Sequence, residues 1–520
     1  MELTRRDMLK LSVLGGAAML LPFERVVSAK GPDLMAASKL PKPFTNQFVV
    51  PPTLTPTLQT ATADYYDLHM TMGSAEIIPG YRTPVWGYNG SVPGPTVNAY
   101  QGREVVMRHC NELPVSNSLG YRPNASVHLH GSPSQPQFDG YASDEVYPQE
   151  WKEYHYLNPQ EARTLWYHDH GAHHTSSNAY MGLAAMYRLY DDQERALPLP
   201  KGPYDVPLIV TDAQFTAKGD LYMGEDESGT WGNVILVNGR PWPVMKVERR
   251  KYRFRLLNAS ISRSYRWVLD SGEPFTVVGT DGGLMPQPQV VNSFRHSSAE
   301  RYEVIIDFSK YPIGRRVTLQ NLSNPNNRDE ANTGKIMAFD VVSDAATLDN
   351  NDVPDVLNPH NPAMLLRPSD SLRERTFKLE RKNSQWTVNG KTWKDIEASG
   401  FEWTAANPDL GDVEIWTIEN SSGGWYHPFH IHLIDFQVID RNGQAPMPHE
   451  RGPKDVVYVG ENEKVKVLMR FGPHKGRYMI HCHNLVHEDH DMMSQFEVGS
   501  GGEDPIKAAP ARPMPAPPYV

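Results

Sequence analysis

Cysteine is nearly absent from this chain: Cys110 and Cys482 are the only two among 520 residues. At most one disulfide can form, so the fold is not a disulfide scaffold. Membrane-length apolar runs are missing as well. The run LSVLGGAAMLLPF at 11–23 falls short of the roughly 20 residues that span a bilayer, and no later segment is apolar enough to do so. Stable membrane insertion is therefore not expected. Basic residues are not in excess: 51 Lys+Arg stand against 61 Asp+Glu, a formal charge of −10, which argues against nucleic acid as the main partner. Long segments with a 3.6-residue apolar period are scarce, which excludes a helical bundle or helical repeat.

What is abundant is turn and strand chemistry. The chain has 44 Pro and 39 Gly, and they punctuate runs such as EVVMRHC at 104–110, YRFRLLN at 252–258, RYEVIIDF at 301–308 and KVKVLMRF at 464–471. These runs alternate or are β-branched, so the spacing predicts an all-β protein of sandwiches or barrels. The length is too great for one ordinary domain. A proline-rich linker at 195–205 and a polar, turn-rich break at about 345–367 divide the chain into β-domains at 46–194, 205–344 and 365–500. VNG recurs at 237–239 and 388–390, a weak internal repeat. Residues 501–520, ending APARPMPAPPYV, read as a disordered proline-rich tail.

Residues 1–29 carry an address. Arg5 and Arg6 precede the apolar run, and Val27-Ser28-Ala29 offers small residues for cleavage. This is the pattern of an export signal, and the paired arginines resemble the twin-arginine type. The expected partner is the twin-arginine export machinery, and the expected destination is the periplasm, the cell surface or the medium. Export usually brings disulfides. Their scarcity fits a protein folded, and loaded with any cofactor, before it leaves the cytoplasm.

Twenty histidines are spread over 520 residues, and random placement gives fewer than one H-x-H pair. There are four: His128/His130, His168/His170, His430/His432 and His481/His483. In a strand, residues i and i+2 share a face, so each pair presents two imidazoles side by side. Two pairs lie in the first domain and two in the third, whereas the second contains only His296. Such a distribution predicts a multi-metal cluster between the outer domains, with the middle domain supplying structure and spacing.

Within HCHNLVHEDHDMM at 481–493, Cys482 must face away from His481 and His483 and so serve a second metal centre. A thiolate, two imidazoles and a weak axial methionine are the ligands of blue-copper sites. Cys482, His487 and Met492 supply three of these, and His427, the histidine of HPFHIH outside its H-x-H pair, is the candidate for the fourth.

HLHG at 128–131, WYHDH at 166–170, HPFHIH at 427–432 and HCHNLVHEDHDMM resemble the four copper motifs of multicopper oxidases, in that family's order. WGYNGSVPGPT at 86–96 and FTVVGTDGGLMPQP at 275–288 extend the likeness over nearly the whole mature chain. FDGY at 138–141 and GWYHPFHIH at 424–432 are most similar to bilirubin oxidases, with spore-coat laccases next. The resemblance implies three cupredoxin-like Greek-key domains and four copper ions. A type 1 copper would take His427, Cys482, His487 and Met492. A type 2 copper would take His128 and His430. A type 3 pair would take His130, His168, His170, His432, His481 and His483. It further implies one-electron oxidation of electron-rich organic donors, bilirubin or phenols, with reduction of O2 to water. The expected state is a monomer. Asp139 and Glu488 match positions the family uses to deliver protons, although either can equally orient a ligand or lie at the surface.

Other residues are expected to be bland. Asp169 reads as outward-facing and structural, His173 and His174 as solvated loop residues, Cys110 as a buried thiol, and Trp425 as a donor-pocket or packing residue. The alternative function is a copper-resistance or copper-binding protein with incidental oxidase activity. The complete ligand set favours the oxidase.

Overall fold

A computed structural model describes residues 32–115, 121–224 and 226–519. The export signal expected at 1–29 lies outside the described residues. Strands make up 43% of the structure and helices 9%, so the all-β expectation holds.

The strands form three pairs of facing sheets, one pair per domain. In the first domain a six-stranded sheet carries Ala63–Ala75, Glu104–Asn111 and Glu150–Tyr156, and a four-stranded sheet runs Val97–Tyr100, Ala184–Tyr190, Arg163–Asp169, Val127–His130. The second domain has seven-stranded and five-stranded sheets, built from strands between Asp205 and Asp344. In the third, a five-stranded sheet faces a four-stranded one ordered Val456–Val459, His427–Ile431, Gly476–Cys482, Met493–Val498. Each pair encloses its own apolar core. Alternating side chains send one row inward and the other outward.

The three units repeat in detail. Each pairs an early strand in parallel with a later one: Ala63–Ala75 with Glu104–Asn111, Asp205–Ala213 with Lys251–Asn258, and Arg373–Lys382 with Val413–Asn420. Each also places Asn-Gly in a turn with both residues at positive φ, a conformation that disfavours most side chains. These are Asn89-Gly90, Asn238-Gly239 and Asn389-Gly390. In every case the asparagine Oδ1 accepts a backbone N–H from a neighbouring strand: that of His69, Ile209 or Lys378. The two VNG segments therefore mark equivalent corners, and Tyr88-Asn89-Gly90 is the third.

The proline-rich tail is a correction. Residues 503–519 are ordered: Arg512–Pro513 pairs antiparallel with Glu150–Tyr156 of the first domain. Proline cannot donate a backbone hydrogen bond, but its carbonyl accepts one. Trp151 Nε1 donates to Pro513 O at 3.1 Å and Arg108 Nη1 to Pro517 O at 2.5 Å. Tyr519 lies under the Arg108 guanidinium, edge-on to Tyr65, and its hydroxyl donates to Glu153. The segment straps the third domain to the first.

Candidate metal centre

The four-stranded sheets of the first and third domains carry the histidine pairs. Antiparallel register sets His128 opposite His168 and His430 opposite His481. Ten histidines and one cysteine, all buried, fall into two groups on opposite sides of the strand Gly476–Cys482.

On one side stand the eight H-x-H imidazoles. His130, His168 and His483 converge, as do His170, His432 and His481, and His128, His430 and His432, each set with ligand atoms within 4.8 Å of one another. His170 Nε2 and His432 Nε2 each lie 3.1 Å from His481 Nε2. The rings of His130 and His430 stack at 3.7 Å, and those of His128 and His432 at 4.0 Å.

The outer nitrogens explain this arrangement. Nδ1 of His128, His168 and His430 donates to the carbonyl of Asp139, Asp169 and Asp455, respectively. His432 Nδ1 donates to Asp139 Oδ2 and His130 Nε2 to Asp455 Oδ1. These partners fix each tautomer, so the opposite nitrogen is bare. Nε2 of His128, His168 and His430, Nδ1 of His130 and both nitrogens of His483 are buried without a hydrogen-bond partner. Buried imidazole nitrogens without partners are costly unless a metal takes them. Burial pushes the pKa of these histidines down, His170 to about 4 against the opposing pull of Glu488 and His481 to about 3, and neighbouring imidazoles add to it at His128 and His483. They are neutral ligands at any ordinary pH. The donor set fits copper, which imidazole suits.

On the other side, His427 Nδ1 lies 3.2 Å from Cys482 Sγ and 3.2 Å from His487 Nδ1, with 3.7 Å closing the triangle. Met492 is fully buried beside them, its carbonyl accepting from the Cys482 N–H at 3.1 Å. Burial pushes the Cys482 thiol well up, so the thiolate requires a cation to displace the proton. The outer atoms are again occupied: His427 Nε2 is 2.8 Å from Ser422 Oγ, and His487 Nε2 donates to the Ser228 carbonyl of the middle domain. Trp386 stacks on His487 at 3.9 Å, and the half-buried Trp425 meets Trp386 edge-on.

Asp139 is buried, and burial holds its carboxyl well above the usual range. Its contacts are those of a group orienting His128 and His432. Glu488 lies in the short helix Leu485–Asp489, with Oε2 2.8 Å from His481 Nδ1 and Oε1 3.5 Å from His170 Nδ1. Burial raises it to about 7, against the opposing pull of His170. Two other expectations change. Asp169 does not face outward: it is fully buried, accepting from the Ser126 and Gly171 N–H groups and from Asn178 Nδ2. Nor are His173 and His174 free in solvent: one bonds the Asp489 carbonyl and the other stacks on Tyr121. Asp455 and Trp386 were not singled out from sequence. Asp455 lies in GPKDVV, without any spacing that marks a site.

Comparisons agree with this geometry. Models of multicopper oxidase domains match residues 69–194, 206–343 and 367–502. A bilirubin oxidase of Albifimbria verrucaria is 42% identical over 450 residues, covering 83% of this chain and 74% of that protein. A laccase of Bacillus subtilis (strain 168) is 34% identical, covering 88% and 98%. Among solved structures, a laccase from Pediococcus acidilactici superposes with a TM-score of 0.78 at 30% identity, over 88% of this chain and 95% of that one. The fold is thus the three-domain cupredoxin-like one, and the chain belongs to the multicopper oxidases, copper-dependent oxidoreductases that bind four coppers and use O2 as acceptor.

Proposed function

We propose that this oxidase takes single electrons from electron-rich aromatic donors, bilirubin and phenols among them, at a type 1 site of His427, Cys482, His487 and Met492. His128 and His430 serve the type 2 copper, and the six remaining H-x-H histidines the type 3 pair. Copper held there would supply one-electron redox chemistry and the store of four electrons that full reduction of O2 requires. The observation that carries this reading is the alternation along His481-Cys482-His483: the thiol points to one ligand group while both imidazoles point to the other. One strand joins the place where electrons arrive to the place where they are used.

The chain's own residues do the rest. Hydrogen bonds to Asp139, Asp169 and Asp455 aim the imidazoles, and His487 is turned by Ser228. Trp386 is fully buried and stacks on His487, and the half-buried Trp425, edge-on to it, leaves part of its ring open to a planar donor. Glu488, against two ligand histidines with its pKa near neutrality, is poised to hold a proton and release it toward reduced oxygen. Asp139 is placed for the same task.

A monomer suffices, because one chain supplies all twelve candidate ligands. Arg5, Arg6 and the apolar run after them support export by the twin-arginine route, with copper loaded before transit. Among the described residues no helix is long and apolar enough to cross a membrane. A copper-resistance role is not favoured. The test is a donor panel, with O2 uptake by the copper-loaded protein measured on bilirubin beside simple methoxyphenols. Turnover of either class supports the reading, and uptake with neither overturns it.

A further inference from the structure

The middle domain offers no histidine to the cluster, yet one of its side chains reaches it. Arg301 opens the strand Arg301–Asp307 and is fully buried. All five of its N–H bonds are used. Nε donates to the Thr164 carbonyl in the first domain at 2.9 Å. Nη1 donates to the Ala299 carbonyl and to Asp455 Oδ1, at 3.1 and 2.7 Å, and Nη2 to the Asp281 carbonyl and to Asp455 Oδ2, at 3.2 and 2.5 Å. One guanidinium thus ties together all three domains, and its two-point grip is on Asp455.

Asp455 is the residue that orients two cluster histidines. Its Oδ1 accepts from His130 and its carbonyl from His430. The carboxylate reaches both rings at the nitrogens turned away from the cluster: Oδ1 lies 3.0 Å from His130 Nε2 and 3.8 Å from His430 Nδ1. The chain beside His130 is shaped around the clamp. Gly131 sits at a φ of +89°, and a Cβ there would lie 2.5 Å from Arg301 Nη2 and 2.8 Å from Asp455 Oδ2.

We propose that Arg301 is a positioning residue of the copper cluster, clamping Asp455 so that it orients His130 and His430. The inference rests on the reading of the H-x-H histidines as that cluster. Partners of ligands typically change metal affinity or activity 10- to 100-fold when removed, by rough precedent, and a fork-shaped guanidinium is not replaced by an amide or an ammonium.

The test compares Arg301→Gln, Asp455→Asn and the double variant Arg301→Gln/Asp455→Asn in the copper-loaded chain. Wild-type protein is characterised first: if it holds no copper and takes up no O2, the oxidase reading itself fails. In Arg301→Gln the blue absorption of the type 1 site should be unchanged, the hyperfine splitting of the type 2 copper in the EPR spectrum should shift, and reoxidation by O2 should slow by about 10- to 100-fold. Because Arg301 acts through that carboxylate, the double variant should be altered no further than Asp455→Asn alone. An unshifted spectrum in Arg301→Gln, or a double variant altered beyond Asp455→Asn alone, overturns the proposal. Should Arg301→Gln fail to fold, Arg301→Lys and Arg301→Lys/Asp455→Asn give the same comparison, since the ammonium keeps the charge but cannot grip both oxygens.

Discussion

At the scale of single residues, most of the imidazoles that face the metal have their role set by what holds the opposite side of the ring. Cys482 has no other function to fall back on: it is buried among apolar side chains and pairs with no second cysteine. Cys482→Ser should abolish the blue absorption and nearly all activity while leaving the far-ultraviolet circular dichroism of the fold intact; a blue, active variant would falsify the assignment. Met492 is the axial ligand proposed for that site. Replacing a weak axial donor by leucine disfavours Cu(II) relative to Cu(I), so Met492→Leu should stay blue and show a higher reduction potential in a redox titration, and an unchanged or lower potential would remove Met492 from the ligand set. Glu488→Gln keeps shape but cannot ionise. It should leave copper content and colour intact and slow reoxidation roughly 10- to 1000-fold, at or just below the usual contribution of an acid–base group, with donor reduction of the type 1 copper unaffected. Stopped-flow measurement of the two half-reactions separates these, and normal reoxidation would make Glu488 a structural carboxylate.

At the scale of elements, the strands that carry ligands are the legible part. Two-residue alternation announces itself in H-x-H, and the opposite facing of Cys482 and His481 follows from the pleat alone. The three β-domains could be read from strand runs and turn clusters. Contacts between distant segments could not. Arg301 and Asp455 meet across 154 positions of sequence, and nothing local to RYEVIIDF or GPKDVV marks the pair. Asp169 was misjudged because alternation predicts only which side a residue faces; a second layer, here Ser126 and Asn178, decides whether that side is wet. The tail was misjudged because proline content measures what a segment cannot donate, not what it can accept or pack against. Its deletion is a direct check. Removing residues 503–520 takes away the Arg108–Tyr519 contact and the bonds to Pro513 and Pro517, each worth about 0.5–2 kcal/mol. The truncated protein should inactivate sooner on heating, with the first and third domains parting. An unchanged half-life would reduce the strap to ornament.

At the scale of the whole molecule, the cluster is a seam: its eight imidazoles come equally from the first and third domains, so neither domain alone can hold it. That seam also predicts how the copper-free protein responds to pH. His427 and His481 fall to about 3 and His170 to about 4, so in the unfolded chain they take up protons near their ordinary value of 6.5 that the folded chain refuses. Stability from these groups is present above about pH 6.5 and lost as pH falls. Glu488, Asp489 and Asp169, each raised to about 7, act in the opposite sense, gaining stability as pH falls from about 7, but the depressed imidazoles outnumber them. The thermal midpoint of the apo-protein should therefore drop between about pH 6.5 and 4, as calorimetry would report. The central claim, that one chain couples single-electron donors to full reduction of O2, is tested most directly by the stoichiometry of turnover. With a one-electron donor in excess, the copper-loaded protein should oxidise four donor molecules per O2 consumed and release no hydrogen peroxide; two donors per O2, with peroxide accumulating in step, would contradict it.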